Sequence, residues 1–220
     1  MDIHFAEKLS LNHTLSAPIL EKVQYPHDSL IYLKKFIIHI GATLQSEEFY
    51  TPSEGIWISK KAIVSPSAFI GSPCIIGHNT EIRHCAFIRG SALIGDDCVI
   101  GNSTEVKNSI IFDSVQIPHY NYVGDSILGY KSHLGAGAIT SNVKGDRSTV
   151  TIDYGFIKIP TDTKKLGAIL YDQVEVGCNT VLNPGTVIGK SSRIYPLTLV
   201  RGYIPDNSIL KQNGETVNII

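Results

Sequence analysis

Neither charge sign predominates in this chain. Its 19 lysines and arginines stand against 20 aspartates and glutamates, for a formal net charge of −1. That balance argues against a general binder of nucleic acid or of an anionic membrane surface. No apolar run approaches the length of a membrane span. The N-terminus, Met1-Asp2-Ile3-His4, lacks the basic stretch and apolar run of a secretory signal. The four cysteines have no metal-type spacing, which points to a reducing compartment, and the expected address is cytoplasmic. With 220 residues, 43% of them hydrophobic, the chain is long enough for one core plus an appendage.

What the chain does have is a beat of six. A branched aliphatic residue recurs at Ile58, Val64, Ile70, Ile76, Ile82, Ile88, Ile94, Ile100 and Val106. Four positions after each of the first eight stands a small residue: Ala62, Ala68, Cys74, Thr80, Ala86, Ala92, Cys98 and Thr104. Glycine directly follows the aliphatic residue at Gly71, Gly77, Gly95 and Gly101. The beat returns as Leu170, Val176, Leu182, Ile188, Ile194 and Val200. A period this short matches neither a helical stripe nor a long alternating strand. It marks a solenoid of short strands joined by tight corners, with one aliphatic side chain per strand pointing inwards. Three hexapeptides close a triangular coil, and coils stack about 4.8 Å apart. The chain is thereby identified as an all-β, left-handed parallel β-helix of the hexapeptide-repeat type. Small residues suit the corners, Cys74 and Cys98 among them, and the glycines are expected to take the unusual dihedrals beside them.

Residues 1–50 do not share the beat. Asp28 and Ser29 are placed to cap a helix whose apolar positions are Leu30, Leu33, Phe36, Ile37, Ile40 and Leu44. This N-terminal cap segment is expected to dock across the first coil or on a partner chain. The β-helix then spans 51–210, with a protruding loop at about 141–168 and a tail at 211–220. The step shortens to five between Val106 and Ile111, between Val123 and Leu128, and between Leu134 and Ile139. Such irregularities often sit beside functional sites, and a long interruption such as 141–168 is usually functional or mobile.

Sequence distance becomes geometry in an 18-residue coil. Arg89 and Lys107 are 18 apart, so they stack one coil above the other. They form either a phosphate clamp or two solvated charges on an open face. The densest polar cluster follows: Ile117-Pro118-His119-Tyr120-Asn121-Tyr122-Val123-Gly124-Asp125. His119 lies between two irregular steps. Histidine is the side chain best suited to take a proton near neutral pH, although a lone histidine is more often structural.

Three stretches carry a resemblance: Gly101-Asn102-Ser103-Thr104-Glu105-Val106-Lys107, His119 to Asp125, and Leu134-Gly135-Ala136-Gly137-Ala138-Ile139-Thr140-Ser141-Asn142. They resemble the acetyltransferase domain of bifunctional glucosamine-1-phosphate acetyltransferase/N-acetylglucosamine-1-phosphate uridylyltransferases. Lys165-Leu166-Gly167-Ala168 and Arg193-Ile194-Tyr195-Pro196 are similar to archaeal sugar-1-phosphate nucleotidyltransferases carrying the same β-helix. The resemblance covers roughly 55–210 and implies a homotrimer with acetyl-CoA, the co-substrate, held in grooves between neighbouring β-helices. It further implies that Arg89 and Lys107 hold the phosphate of an amino-sugar phosphate and that His119 is the general base, with no metal. Tyr122, His133 and Asn142 would bind the sugar, and Ala136, Cys178 and Pro196 would line the cofactor.

Some positions depart from the family pattern. His133 stands where bacterial members have an asparagine that helps bind the sugar and lies near the base, so His133 is expected close to His119; Ser148 and Thr151 stand where relatives carry lysines that touch the sugar or its phosphate, and Arg147 is a neighbour able to compensate. These changes bear on the acceptor more than on the acyl chemistry. The first 50 residues hold no glycine-rich phosphate loop, so the nucleotidyltransferase half of the family is not expected here. Two other readings stay open. One is a non-catalytic trimeric binding or scaffold protein related to nucleotide-sugar pyrophosphorylases. The other is a metalloenzyme of the γ-carbonic-anhydrase kind, which needs three converging histidines; His78, His84, His119 and His133 do not have the expected spacing.

Overall fold

The computed structural model describes residues 8–219, and nearly all of its regular structure is short strand. From Ile56 the chain winds round three sheets, faces A, B and C, of nine, nine and seven strands. Face A takes Ile56–Ser59, Cys74–Ile76, Ala92–Ile94, Ser109–Ile111 and their successors. Face B takes Glu81–Ile82, Val99–Asn102, Gln116–His119 and His133–Leu134, among others. Face C takes Phe69–Ile70, Phe87–Ile88, Glu105–Lys107, Tyr122–Gly124 and Ile139–Thr140, then Val181–Leu182 and Leu199–Val200. The ladders are parallel except for one antiparallel end strand on face A, Phe49–Tyr50, and one on face B, Thr216–Asn218; Ile76 pairs with Ile94, Ile82 with Ile100 and Ile88 with Val106. This is the expected parallel β-helix. The residues of the beat fill its interior; Ile76, Ile88, Ile94, Ile100 and Val106 are fully buried. Cys74 and Cys98 are packing residues in the same core, and burial pushes both thiols up to about 12.

The glycines serve a different purpose from the one expected. Gly77, Gly95 and Gly101 do not adopt positive φ; the left-handed residue comes two positions later, at Asn79, Asp97 and Ser103. Asn, Asp and Ser tolerate that region better than most residues. The glycines instead sit where one coil touches the next. A Cβ on Gly101 would lie 1.6 Å from the Pro118 carbonyl oxygen, and one on Gly95 would lie 2.8 Å from the Asp113 nitrogen.

Two of the three short steps are real. Leu93 pairs with Ile110 and Ile110 with Ile127, a spacing of 17 residues in place of the 18 that separates Ile75 from Leu93. The deletions fall at the corner between faces C and A, in Lys107-Asn108 and Gly124-Asp125. The third is corrected by the structure. Thr140, not Ile139, occupies the inward slot: Thr140 is fully buried while Ile139 is 39% exposed. Its hydroxyl accepts the Gly124 N–H at 2.9 Å, so a polar residue takes an apolar position without an unsatisfied group.

Face A differs from the others in being apolar on its outside too. The outward residues Ile75, Leu93, Ile110, Ile127, Ile169 and Val187 are all 1% exposed or less. After the short helix α1 (Ala17–Leu20), helix α2 (Ser29–Gly41) covers the earlier part of this face, packing on the strands at 74–76, 92–94 and 109–111 through Leu30, Leu33 and Ile37. It therefore lies along the face and not across the first coil. Neither expected cap forms. Ser29 donates back to the Pro26 carbonyl, and Asp28 lies 3.4 Å from His27 Nε2. Residues 141–168, expected to protrude, fold back with an antiparallel strand pair, Thr151–Asp153 and Lys158–Pro160, that packs against the face A strand at 186–188. Ile152 and Ile159 are buried in that contact. The tail pairs antiparallel with the face B strand Ser208–Leu210 through Thr216–Asn218.

Gly101→Ala is expected to destabilise the chain by about 3 kcal/mol, the upper end of ordinary overpacking, because the obstructing atom is backbone. Gly145→Ala, where a Cβ would meet nothing within 4 Å, is expected to change stability by less than about 0.5 kcal/mol. Urea unfolding of the two variants compares them directly.

Candidate functional site

The shortened C–A corner gathers four of the expected residues. Lys107 pairs along the ladder with Gly124, so the next residue, Asp125, lies beside the ammonium. Asp125 is 4% exposed, and its carboxylate is fully engaged. Oδ1 accepts from Asn108 at 2.8 Å; Oδ2 accepts from Lys107 Nζ at 3.1 Å and from Asn142 Nδ2. The same Asn142 amide donates to the Tyr122 hydroxyl at 3.2 Å. Gly124 leaves room for that phenol, since a Cβ there would meet its oxygen at 2.5 Å. Partial burial first, then the charges of Asp125 and Glu105, push the Tyr122 phenol above its ordinary value. Tyr122 is therefore a neutral donor or acceptor at physiological pH.

Arg89 stacks one coil below Lys107 as the interval requires, but it is not a free cation. Its guanidinium donates to Glu105 Oε1 at 2.8 Å and lies over the Phe87 ring. Each cation of the expected clamp thus already has a carboxylate partner, Glu105 for Arg89 and Asp125 for Lys107. Only Asp125 falls at the interval that found the cations, 18 after Lys107; Glu105 follows Arg89 by 16 and meets it through side-chain reach. The arrangement is an alternating charge network facing a tyrosine and an asparagine.

The opposite edge of face C, its corner with face B, holds the other group. His119 ends the strand Gln116–His119 with an exposed side chain that makes no hydrogen bond among the described residues. Its backbone is held firmly. The His119 carbonyl accepts from Gly137 N at 3.0 Å, and its N–H donates to Asn121 Oδ1 at 3.1 Å. Asn121, buried, bonds in turn to the carbonyls of Gly135 and Ala138 on the next coil. Asn121 had no assigned role in the sequence, yet it fixes the turn that presents His119.

Ala136, Cys178 and Pro196 stack above His119 along this corner. Asn179 N donates to the Ala136 carbonyl at 2.8 Å, and Leu197 N donates to the Cys178 carbonyl at 2.9 Å. The three side chains are small or compact, and Cys178 and Pro196 are exposed, so they form a column of small residues, open to solvent, running along the helix axis. Tyr122, three residues after His119, links this corner to the charge network across face C.

His133 does not join either group. It pairs with Gln116 on face B, three residues or about 10 Å back along the strand from His119. Its Nδ1 lies 2.8 Å from Glu175 Oε2. The expected closeness of the two histidines is corrected accordingly. His78 is likewise separate, bonded to Ser59 Oγ at 2.6 Å. The loop positions Ser148 and Thr151 also lie apart from the network: the Ser148 hydroxyl takes part in a local cluster with Lys144 and Asp146.

A family model described as the GMPPB C-terminal domain matches residues 84–158, the segment that carries the charge network, His119 and Ala136 but not Cys178 or Pro196. The bifunctional sugar-1-phosphate nucleotidylyltransferase/acetyltransferase of Sulfurisphaera tokodaii is 36% identical over 94 residues, 43% of this chain and 23% of that protein. The bifunctional protein GlmU of Methanococcus vannielii is 31% identical over 150 residues, 68% of this chain and 33% of that protein. The chain is similar to the repeat region of these bifunctional enzymes. It spans only about a quarter to a third of the length of the curated relatives it matches. Among solved structures, the acetyltransferase domain of PglB from Neisseria gonorrhoeae in complex with acetyl coenzyme A aligns over 72% of this chain and 55% of its own, at 17% identity and a TM-score of 0.38. No helix among the described residues is long and apolar enough to cross a membrane.

Asp125→Asn is expected to bring the Tyr122 phenol down, though not fully to the ordinary tyrosine value, because burial is the larger cause of the shift. An ultraviolet difference titration reads this change. Asp125→Ala, which strands the mostly buried Lys107 ammonium, is expected to cost about 3 kcal/mol of stability by urea unfolding.

Proposed function

We propose that this chain is an acetyl-CoA-dependent N-acetyltransferase acting on an amino-sugar phosphate. One observation supports this reading above the rest: a single face carries a histidine at the head of a column of small residues on one edge and a cationic network on the other, with Tyr122 between. A thioester-bearing arm suits a groove formed where a second copy covers the corner lined by Ala136, Cys178 and Pro196. A sugar suits the tyrosine and Asn142, and its phosphate suits the edge bearing Arg89 and Lys107. The similarity to bifunctional nucleotidylyltransferase/acetyltransferases supports the same chemistry.

In this reading His119 takes a proton from the acceptor amine as its nitrogen attacks the thioester carbonyl carbon. The carbon–nitrogen bond forms and the carbon–sulfur bond breaks. The imidazolium then returns the proton to the departing thiolate of CoA. The open side chain of His119 on a rigidly bonded turn suits this role: the base is positioned by its backbone while its ring stays available to substrate. A backbone amide or small polar group stabilises the tetrahedral oxyanion. Arg89 and Lys107, already paired, bind phosphate by sharing their remaining donors, and Glu105 and Asp125 hold them in place.

Face C carries exposed apolar residues above and below the site, Phe69, Phe87, Ile139 and Leu199. We take these as the contact between copies in a homotrimer, which closes the groove from the far side. A second reading, a non-catalytic scaffold, draws on the neutralised clamp, since each cation already has a partner.

His119→Ala is expected to lower turnover by about 10²–10⁴-fold while leaving acetyl-CoA affinity and melting temperature nearly unchanged. Transfer assays with glucosamine-1-phosphate and a panel of amino sugars test it. Wild-type protein that binds acetyl-CoA by titration calorimetry yet transfers to no acceptor would favour the scaffold. Light scattering at micromolar concentration is expected to report three copies, and a monomer would count against the shared groove.

A further inference from the structure

On the other side of the C–A corner lies a cavity of about 520 Å³ that the acyl-transfer reading does not use. It is bounded by the first turns of α2, by the corner residues Asn108 and Asp125, and by the return segment that ends at Leu166. Three lysines line it: Lys34 from the helix, and Lys164 and Lys165 from the return segment. Among the described residues none of the three makes an ion pair. The one carboxylate in the wall, Asp125, has both oxygens committed to Asn108, Lys107 and Asn142. Three like charges around one concavity repel each other unless an anion sits among them.

A second observation points the same way. His27 lines the cavity and is 5% exposed, and its Nδ1 is buried with no hydrogen-bond partner. Its Nε2 is accounted for, 3.4 Å from Asp28 Oδ1. A buried ring nitrogen without a partner is costly, and a rotation of the ring as an anion enters the cavity would give it one. The N-terminal end of the 13-residue helix α2 adjoins the same space, and its partial positive charge favours an anion there.

We propose that this cavity binds a phosphoryl group, held by Lys34, Lys164 and Lys165 with His27 completing its hydrogen bonds. The group belongs either to a separate phosphate ester or to an acceptor that reaches round the Asn108–Asp125 wall from face C. The proposal does not depend on the acyl-transfer reading, because its test needs neither CoA nor turnover.

Inorganic pyrophosphate is the probe, titrated calorimetrically into the full chain. The wild type is expected to bind it with an affinity that falls as salt is raised. Lys164→Ala/Lys165→Ala is expected to raise the Kd about tenfold or more, and Lys34→Ala to act in the same direction. All three side chains are exposed, so the variants should keep the wild-type melting temperature. The His27 ring resonances are expected to shift on adding pyrophosphate to wild-type protein. Glucosamine-1-phosphate separates the two sources. If it competes with pyrophosphate and loses affinity in the double variant, the cavity takes the acceptor's own phosphate. If it binds both proteins equally, the cavity takes a separate ester. Absence of pyrophosphate binding, or binding that neither lysine change weakens and that leaves His27 unmoved, would overturn the proposal.

Discussion

Each coil of this molecule has to close within one strand spacing of the next, and every other feature is subordinate to that. The inward slot of each strand admits one branched side chain, and the corner admits a residue in the left-handed region. Where coils touch at Gly101, the neighbouring carbonyl leaves no space for a methyl group. Such a ladder is insensitive to what points outwards. The outward positions of the three faces are consequently free to differ, and they do: face A is apolar and covered, face B largely polar, and face C mixed and open.

The candidate site arises where the ladder is perturbed. Removing one residue from two successive C–A corners brings Asn108 and Asp125 into contact across coils without breaking the strands on either side. A buried carboxylate is tolerated there because an ammonium and two amides surround it. The network keeps Lys107 and Asn142 in fixed positions relative to Tyr122. At the opposite edge, positioning is achieved by backbone bonding and by Asn121, and the His119 ring is left open. One edge is thus rigid through its side chains and the other through its main chain.

The solenoid was legible because its rule repeats: one inward aliphatic and one small residue in every six positions. It was misread where Thr140 takes an aliphatic slot, since an alphabet of apolar residues does not reveal that a buried hydroxyl has a backbone N–H waiting for it. The stacking of Arg89 on Lys107 followed from the interval alone. Their neutralisation by Glu105 and Asp125 did not, because ion pairing depends on side-chain reach and not only on register. His133 was misplaced for a related reason. It shares face B with His119 but pairs with Gln116, three residues back along the strand, so the two side chains do not meet. The path of residues 141–168 carried no periodic signal, and its packing against face A is decided by the apolar outward column that it covers.

That covering has a consequence for how the protein meets other molecules. Face A contributes no open apolar surface, because the chain's own helix and strand pair occupy it. Among the exposed large hydrophobic residues, Phe69, Phe87, Ile139 and Leu199 share one outward column on face C, with Glu105 and Tyr122 in its middle. Apolar contacts above and below a polar centre give a surface that can seal against another chain at its ends while keeping water and charge between them. Proposed assembly and proposed catalysis therefore call on the same face. The apolar ends would set the distance between copies, and the polar middle would hold what lies between them. The covering of face A takes its own apolar column out of use and leaves the one on face C open.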